Sequence, residues 1–183
     1  MYVLMELKKR IRLIAVGFIF TLININVNTG RMTINIMPDF LGWLIIAIAC
    51  AKKDENMKNP MYTIGAVILS LCEAALLVYR IVYPKRDIAL YTSAISFISL
   101  IYVFALLTRI EKIAKKNGYD KVSSLRILKY LYTITYILTI ALGLAQNLLP
   151  ADLLAILLTI CGLIVLAVAV LTIVVLFGMS ARI

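Results

Sequence analysis

The chain contains no histidine. That removes imidazole general-base catalysis and the commonest metal ligand together. Its three cysteines, Cys50, Cys72 and Cys161, are far apart in apolar runs, with no Cys-x-x-Cys pair. Neither a zinc site nor a disulfide framework is therefore indicated. Acidic residues are scarce, nine against nineteen lysines and arginines, and the paired carboxylate motifs of membrane hydrolases are missing. No Gly-x-x-x-x-Gly-Lys loop is present to cradle a phosphate. The expectation is a protein that is not an enzyme and carries no cofactor and no metal.

Apolar residues are what the chain has in excess: 63% of 183 residues, against about 45–50% in soluble domains. The net charge of +10 does not point to nucleic acid, because the basic residues fall in short clusters between apolar runs, as in polytopic membrane proteins. Lys8, Lys9, Arg10 and Arg12 precede the first run in the manner of a signal peptide, yet no small-residue cleavage site follows, so this segment is expected to remain in the mature protein. The runs cover residues 11–27, 38–51, 61–83, 88–108, 127–149 and 151–178. Crossing a hydrocarbon core takes about 20 helical residues; the last four runs have that length and the first two fall short. The predicted fold is an all-α polytopic membrane protein, a single domain over 1–183 with six transmembrane helices, the first two short.

Placing the N-terminus in the cytoplasm puts fifteen Lys and Arg residues on that side and leaves only Arg31, Arg80, Lys85 and Arg86 outside. This bias predicts cytoplasmic N- and C-termini, with outer loops near 28–37, 84–87 and 148–151. The sequence RIEKIAKKNGYDKVSSLR at 109–126 reads as the largest polar loop, a topology determinant or a surface for anionic headgroups or a cytoplasmic partner.

Residues 22–51 carry the strongest local signal. Ile-Asn-Ile-Asn-Val-Asn at 23–28 and Met-Thr-Ile-Asn-Ile at 32–36 alternate on either side of Asn28-Thr29-Gly30-Arg31, a β-hairpin pattern. An extended helix is the other reading, and it would scatter Asn24, Asn26 and Asn28 over several faces. The predicted hairpin-like outer loop either lines a protein-enclosed vestibule below the membrane face or lies at headgroup level over a locally thinned bilayer. Pro38-Asp39 then opens a helix, proline suiting the first turn and aspartate its positive dipole end. Pro84 with Asp87 and Pro150 with Asp152 repeat the device. Capping accounts for most of this pattern; a functional reading gathers Asp39, Asp152, Arg31 and Arg80 around one outer opening.

Glu73 sits near the middle of the third run, where a carboxylate is costly unless it faces the bundle interior. It is either a polar contact in a solute site or a protonated acid bonded to a neighbouring helix. Arg80, seven residues on, shares its face and is placed to snorkel outward or reach Asp87. Ala66, Ser70 and Ala74 would let another helix approach beside Glu73. Thr92, Ser96 and Ser99 share one face of the fourth run, and Tyr132, Tyr136, Thr139, Gly143 and Gln146 one face of the fifth, either as packing stripes or as a second wall of a site. Tyr62, Tyr79, Tyr83, Tyr91, Tyr119 and Tyr130 read as interfacial anchors.

Two resemblances follow from these residues. INIMPDFLGWLIIAIA at 34–49 resembles the Leu-Pro-Asp-Phe-Ile-Gly pattern of small uncharacterised membrane proteins of Gram-positive bacteria, which implies a multi-pass protein of a bacterial cell membrane. The size, six segments and elaborate first outer loop are similar to the substrate-binding S components of energy-coupling-factor transporters, although that family's Ala-x-x-x-Ala pattern is here Ala15 followed by Ile19. The expected function is binding or transport of a small solute in an outward-facing polar cavity, alone or as the substrate-binding subunit of a larger transporter. The site residues are Glu73, Asp39, Asn35, Arg31, Gln146 and Asn147. The expected partners are the lipid bilayer, a small-molecule solute and a membrane or cytoplasmic subunit, with no nucleic acid. The alternative is a scaffold, immunity or regulatory subunit acting through protein partners.

Overall fold

The computed structural model describes residues 2–22, 26–28, 33–35, 38–51, 60–83, 89–119, 122–145 and 149–182. Among them are six helices: α1 (Tyr2–Leu22), α2 (Asp39–Ala51), α3 (Pro60–Val82), α4 (Ala89–Lys116), α5 (Val122–Leu144) and α6 (Ala151–Arg182). Two strands, β1 (Asn26–Asn28) and β2 (Thr33–Asn35), lie between α1 and α2 and pair antiparallel, Val27 opposite Ile34. The Gly30 turn between them lies outside the described residues.

Helices α3 to α6 are long and apolar enough to cross a membrane. Each turns large apolar side chains outward, such as Leu71 of α3 and Leu163 of α6, which are more than 60% exposed. A surface of that kind would aggregate in water and suits hydrocarbon. This marks a helical membrane protein. Six transmembrane helices were expected, whereas four meet the length and apolarity needed. Helix α2 has 13 residues, and α1 starts at Tyr2 and ends at Leu22, so its first half takes in Lys8, Lys9, Arg10 and Arg12.

The helices form a ring. Each packs mainly on its neighbours in sequence, and α6 closes against α1. The sharpest approach is between α1 and α2, where a Cβ on Gly42 would fall 2.6 Å from the Gly17 carbonyl oxygen and one on Gly17 would fall 2.9 Å from that of Gly42. Only hydrogen at both positions lets the backbones touch. The Ala66–Ser70 stripe of α3 receives α2: both residues are buried, and the Ser70 hydroxyl donates to the Phe40 carbonyl at 2.9 Å.

The bundle has two unlike ends. One carries the start of α1 and the finish of α6, tied by Lys8 Nζ donating to the Ala181 carbonyl and Arg12 Nε to the Ser180 hydroxyl, both at 3.3 Å. Here Leu7, Ile11, Ile14, Leu106, Ile110, Leu125, Leu176 and Met179 are fully buried in one plug. The other end carries the strands and the α2, α4 and α6 N-termini.

The polar loop expected at 109–126 is mostly helix. Helix α4 runs on to Lys116 and α5 begins at Val122. Between them Gly118, at φ +68°, closes a Schellman cap in which Tyr119 N donates to the Ala114 carbonyl at 3.0 Å and Gly118 N to Lys115 at 3.2 Å. This left-handed position favours glycine, and the sequence Lys-Lys-Asn-Gly supplies it. Tyr62, expected as an interfacial anchor, is tied to α4: its hydroxyl donates to the Ala105 carbonyl, and its own carbonyl accepts from Tyr102 at 2.7 Å.

Candidate functional site

A cavity of about 370 Å³ occupies the strand end of the ring, and every helix contributes to its wall. Thr21 comes from the last turn of α1, Asp39 from the first residue of α2, Arg80 from the last turn of α3 and Thr92 from the first turn of α4. These positions place its mouth at the helix ends. Deeper lie Trp43, Glu73, Ser99, Val103, Tyr132 and Gly162. From Thr92 to Val103 the lining descends about 16 Å at 1.5 Å per residue. Below that depth the apolar plug begins.

The two walls differ in chemistry. On the α2–α3 side, Asp39, Glu73 and Arg80 also share a small crevice with Pro38, Phe40, Leu76 and Leu77. On the α4–α5 side stand the hydroxyls of Thr92, Ser96 and Ser99 and the rings of Tyr132 and Tyr136, whose centroids are 5.4 Å apart at 30°. The convergence of Glu73 with both hydroxyl stripes, left open by the sequence, is what the ring of helices produces. Thr139 and Gly143 do not take part in the lining.

Glu73 makes no hydrogen bond and no ion pair among the described residues; the two ion pairs present there both belong to Glu111. Arg80 donates from Nη2 to the Thr92 hydroxyl at 3.4 Å, bridging α3 to α4. Tyr136 lies beside Ser96 in the lining and within electrostatic reach of Asp39 and Glu73. The hydroxyls of Thr21 and Ser99 are buried with no partner among the described residues. Polar groups in a membrane bundle are normally satisfied by a neighbouring helix or by water. A wall holding a carboxylate and two hydroxyls that no helix satisfies is suited to contents of its own.

Of the six residues expected in the site, Glu73 and Asp39 line the cavity. Asn35 is the last residue of β2, paired with Asn26. Arg31, Gln146 and Asn147 lie outside the described residues. Asp152, expected near the opening, is exposed and does not belong to the lining, whereas Arg80 does. No cluster of three potential metal ligands occurs among the described residues.

Sequence reasoning missed a charged cluster at the opposite end. Lys129, 4% exposed at its side chain, donates to Glu111 Oε2 at 2.8 Å and to the Thr108 hydroxyl at 3.1 Å, and Arg126 donates from Nε to Glu111 Oε1 at 2.6 Å. Lys129 Nζ also stands 4.9 Å from the centroids of Phe104 and Tyr130. The signal was available: Glu111 is the one acidic residue between Ile88 and Asp120, which makes it the obvious partner for neighbouring cations.

Comparison with protein-family models, with curated proteins and with solved structures found no match for this chain.

Proposed function

We propose that this protein binds or passes a small solute through an outward-facing polar cavity in a bacterial cell membrane, acting alone or as the substrate-binding subunit of a larger transporter. The observation that carries the reading is the cavity: about 370 Å³, walled by all six helices, with Glu73 in its lining and neither hydrogen-bonded nor ion-paired to a described residue. That volume is within the range of small-molecule sites, about 300–1,000 Å³. An ionisable residue kept within a membrane-spanning helix is a functional-site candidate by default. The outward direction follows from charge. Lys8, Lys9 and Arg12 of α1, Lys112, Lys115 and Lys116 of α4 and Arg126 of α5 belong to the plugged end, and the positive-inside bias assigns that end to the cytoplasm. The cavity mouth then faces out, with the paired strands beside it.

The test is native mass spectrometry of the protein gently extracted from its own membrane. A stoichiometric small molecule is expected, and it is lost in Glu73→Ala while the protein remains monodisperse. Recovery of a protein partner with no small molecule would overturn the reading in favour of an accessory or regulatory subunit acting through the exposed lysines of α4.

A further inference from the structure

The charges that line the cavity narrow the chemistry of its contents. Glu73 and Arg80 lie on one helix, seven residues apart, so their Cα atoms are separated by about 10 Å along the axis, with Arg80 nearer the mouth. Both line the same space. They nevertheless form no ion pair within 4.0 Å, although α3 presents them on the same face. Arg80 uses one long bond to Thr92, which leaves most of its five donors for other contacts. Asp39, also in the lining, has an interaction of its own and sits at the positive end of the α2 dipole, which offsets part of its charge.

Building on the solute-binding reading above, we infer that the solute is zwitterionic, with its cationic group seated at Glu73 and its anionic group at Arg80 and Thr92. A neutral solute would displace water from both charges and return hydrogen bonds at best, with no opposite charge for either. An anion would satisfy Arg80 and face the Glu73 carboxylate; a cation would do the reverse. A molecule bearing both charges satisfies both groups, with the deeper end of the cavity taking the ammonium. The surroundings of Glu73 agree with that polarity. Tyr136 lies within its electrostatic reach, and the Tyr132 and Tyr136 rings form a pair on the facing wall, the kind of surface on which an ammonium gains cation–π attraction. The hydroxyl of Ser99, which no described residue bonds, adds an acceptor in the same lining. At the mouth, Arg80 offers the planar fork that matches a carboxylate, with the Thr92 hydroxyl beside it.

The experiment measures binding to the purified full chain in detergent by isothermal titration calorimetry. The probes are ω-amino acids from glycine to ε-aminocaproate, each beside the amine and the carboxylate of the same chain length. One ω-amino acid is expected to bind about tenfold or more tightly than both of its single-charge counterparts, as loss of a hydrogen-bonded charge contact implies. Glu73→Gln should bring that ω-amino acid to the level of its carboxylate counterpart, and Arg80→Gln to the level of its amine. An amine or a carboxylate that binds as tightly as the best ω-amino acid would overturn the zwitterion assignment without any variant being made. So would failure of every probe when native mass spectrometry finds a retained small molecule, and in that case solute binding itself would stand. Failure of every probe with no retained molecule would remove both.

Discussion

The bundle contains two glutamates in unlike company, Glu111 buried and Glu73 partly exposed on the cavity wall, and the contrast between them divides the packed end from the open one. Glu111, at the plugged end, has both carboxylate oxygens engaged by Lys129 and Arg126. Glu73, at the open end, has neither oxygen engaged by a described residue. The same side chain therefore meets two solutions to one problem. A carboxylate removed from water must be compensated, and α4 and α5 compensate Glu111 from their own sequence. Around Glu73 the helices supply a space, and the one charge among the described residues that reaches it is that of Arg80, beyond ion-pair distance on the same helix. The surrounding packing follows this division, because the fully buried aliphatic residues of α1, α4, α5 and α6 gather at the Glu111 end, while the Glu73 end holds the buried hydroxyls of Thr21 and Ser99, which no described residue bonds.

The largest expected effect lies at the plugged end. Lys129→Met leaves Glu111 held by the half-exposed Arg126 alone, and removing one partner of a buried pair costs about 3–5 kcal/mol. Thermal unfolding in detergent should show a large drop in midpoint, and Glu111→Gln added to Lys129→Met should recover part of it. A wild-type midpoint for Lys129→Met would break the claim that this cluster joins α4 to α5. Next comes the α1–α2 crossing. Gly42→Ala would set a methyl 2.6 Å from the Gly17 carbonyl oxygen, against backbone that cannot step aside, at a cost of about 1–3 kcal/mol for overpacking. Because Gly42 lies one turn from Asp39, that variant should also weaken retention of a solute, which Lys129→Met at the far end should not.

How much of this could be read from the residues alone differs between the two ends. The open end was largely within reach: Glu73 stands out against an apolar run, the hydroxyls of α4 and α5 recur at helical spacing, and Pro38-Asp39 announces a helix start. What no local pattern could supply was the closure of α6 on α1, which converts separate stripes into one cavity. The plugged end was read less well. Basic residues between 109 and 126 read as loop because charge interrupts hydropathy, yet Lys112, Lys115 and Arg126 ride on helices that continue past the apolar run. Hydropathy measures where a helix meets lipid, and only the Gly118 cap marks where the helix ends. The Gly17–Gly42 contact was hidden for another reason, since one glycine in each helix has no periodicity to detect.

The next prediction sharpens the contrast between the two glutamates directly. Glu73→Gln removes no described partner, so its effect on stability should stay within about 0.5 kcal/mol, measured by the same thermal unfolding, while retention of the solute is lost. A destabilisation comparable to that of Lys129→Met would mean that Glu73 is structural glue, and the cavity would lose its principal group.

The smallest expected effect has the opposite sign. Ser99 holds a buried hydroxyl with no described partner on the cavity wall, so in the empty protein Ser99→Ala removes a polar atom that no helix satisfies, and stability should stay level or rise by up to about 1 kcal/mol. With solute bound, the same hydroxyl acquires a use, and its removal should weaken binding several-fold. Measured on empty and loaded protein, the two effects should diverge. A mutation that destabilises both states equally would place Ser99 in the scaffold, bonded through a water to its own helix. Divergence would show that the Ser99 hydroxyl on the cavity wall is reserved for the solute.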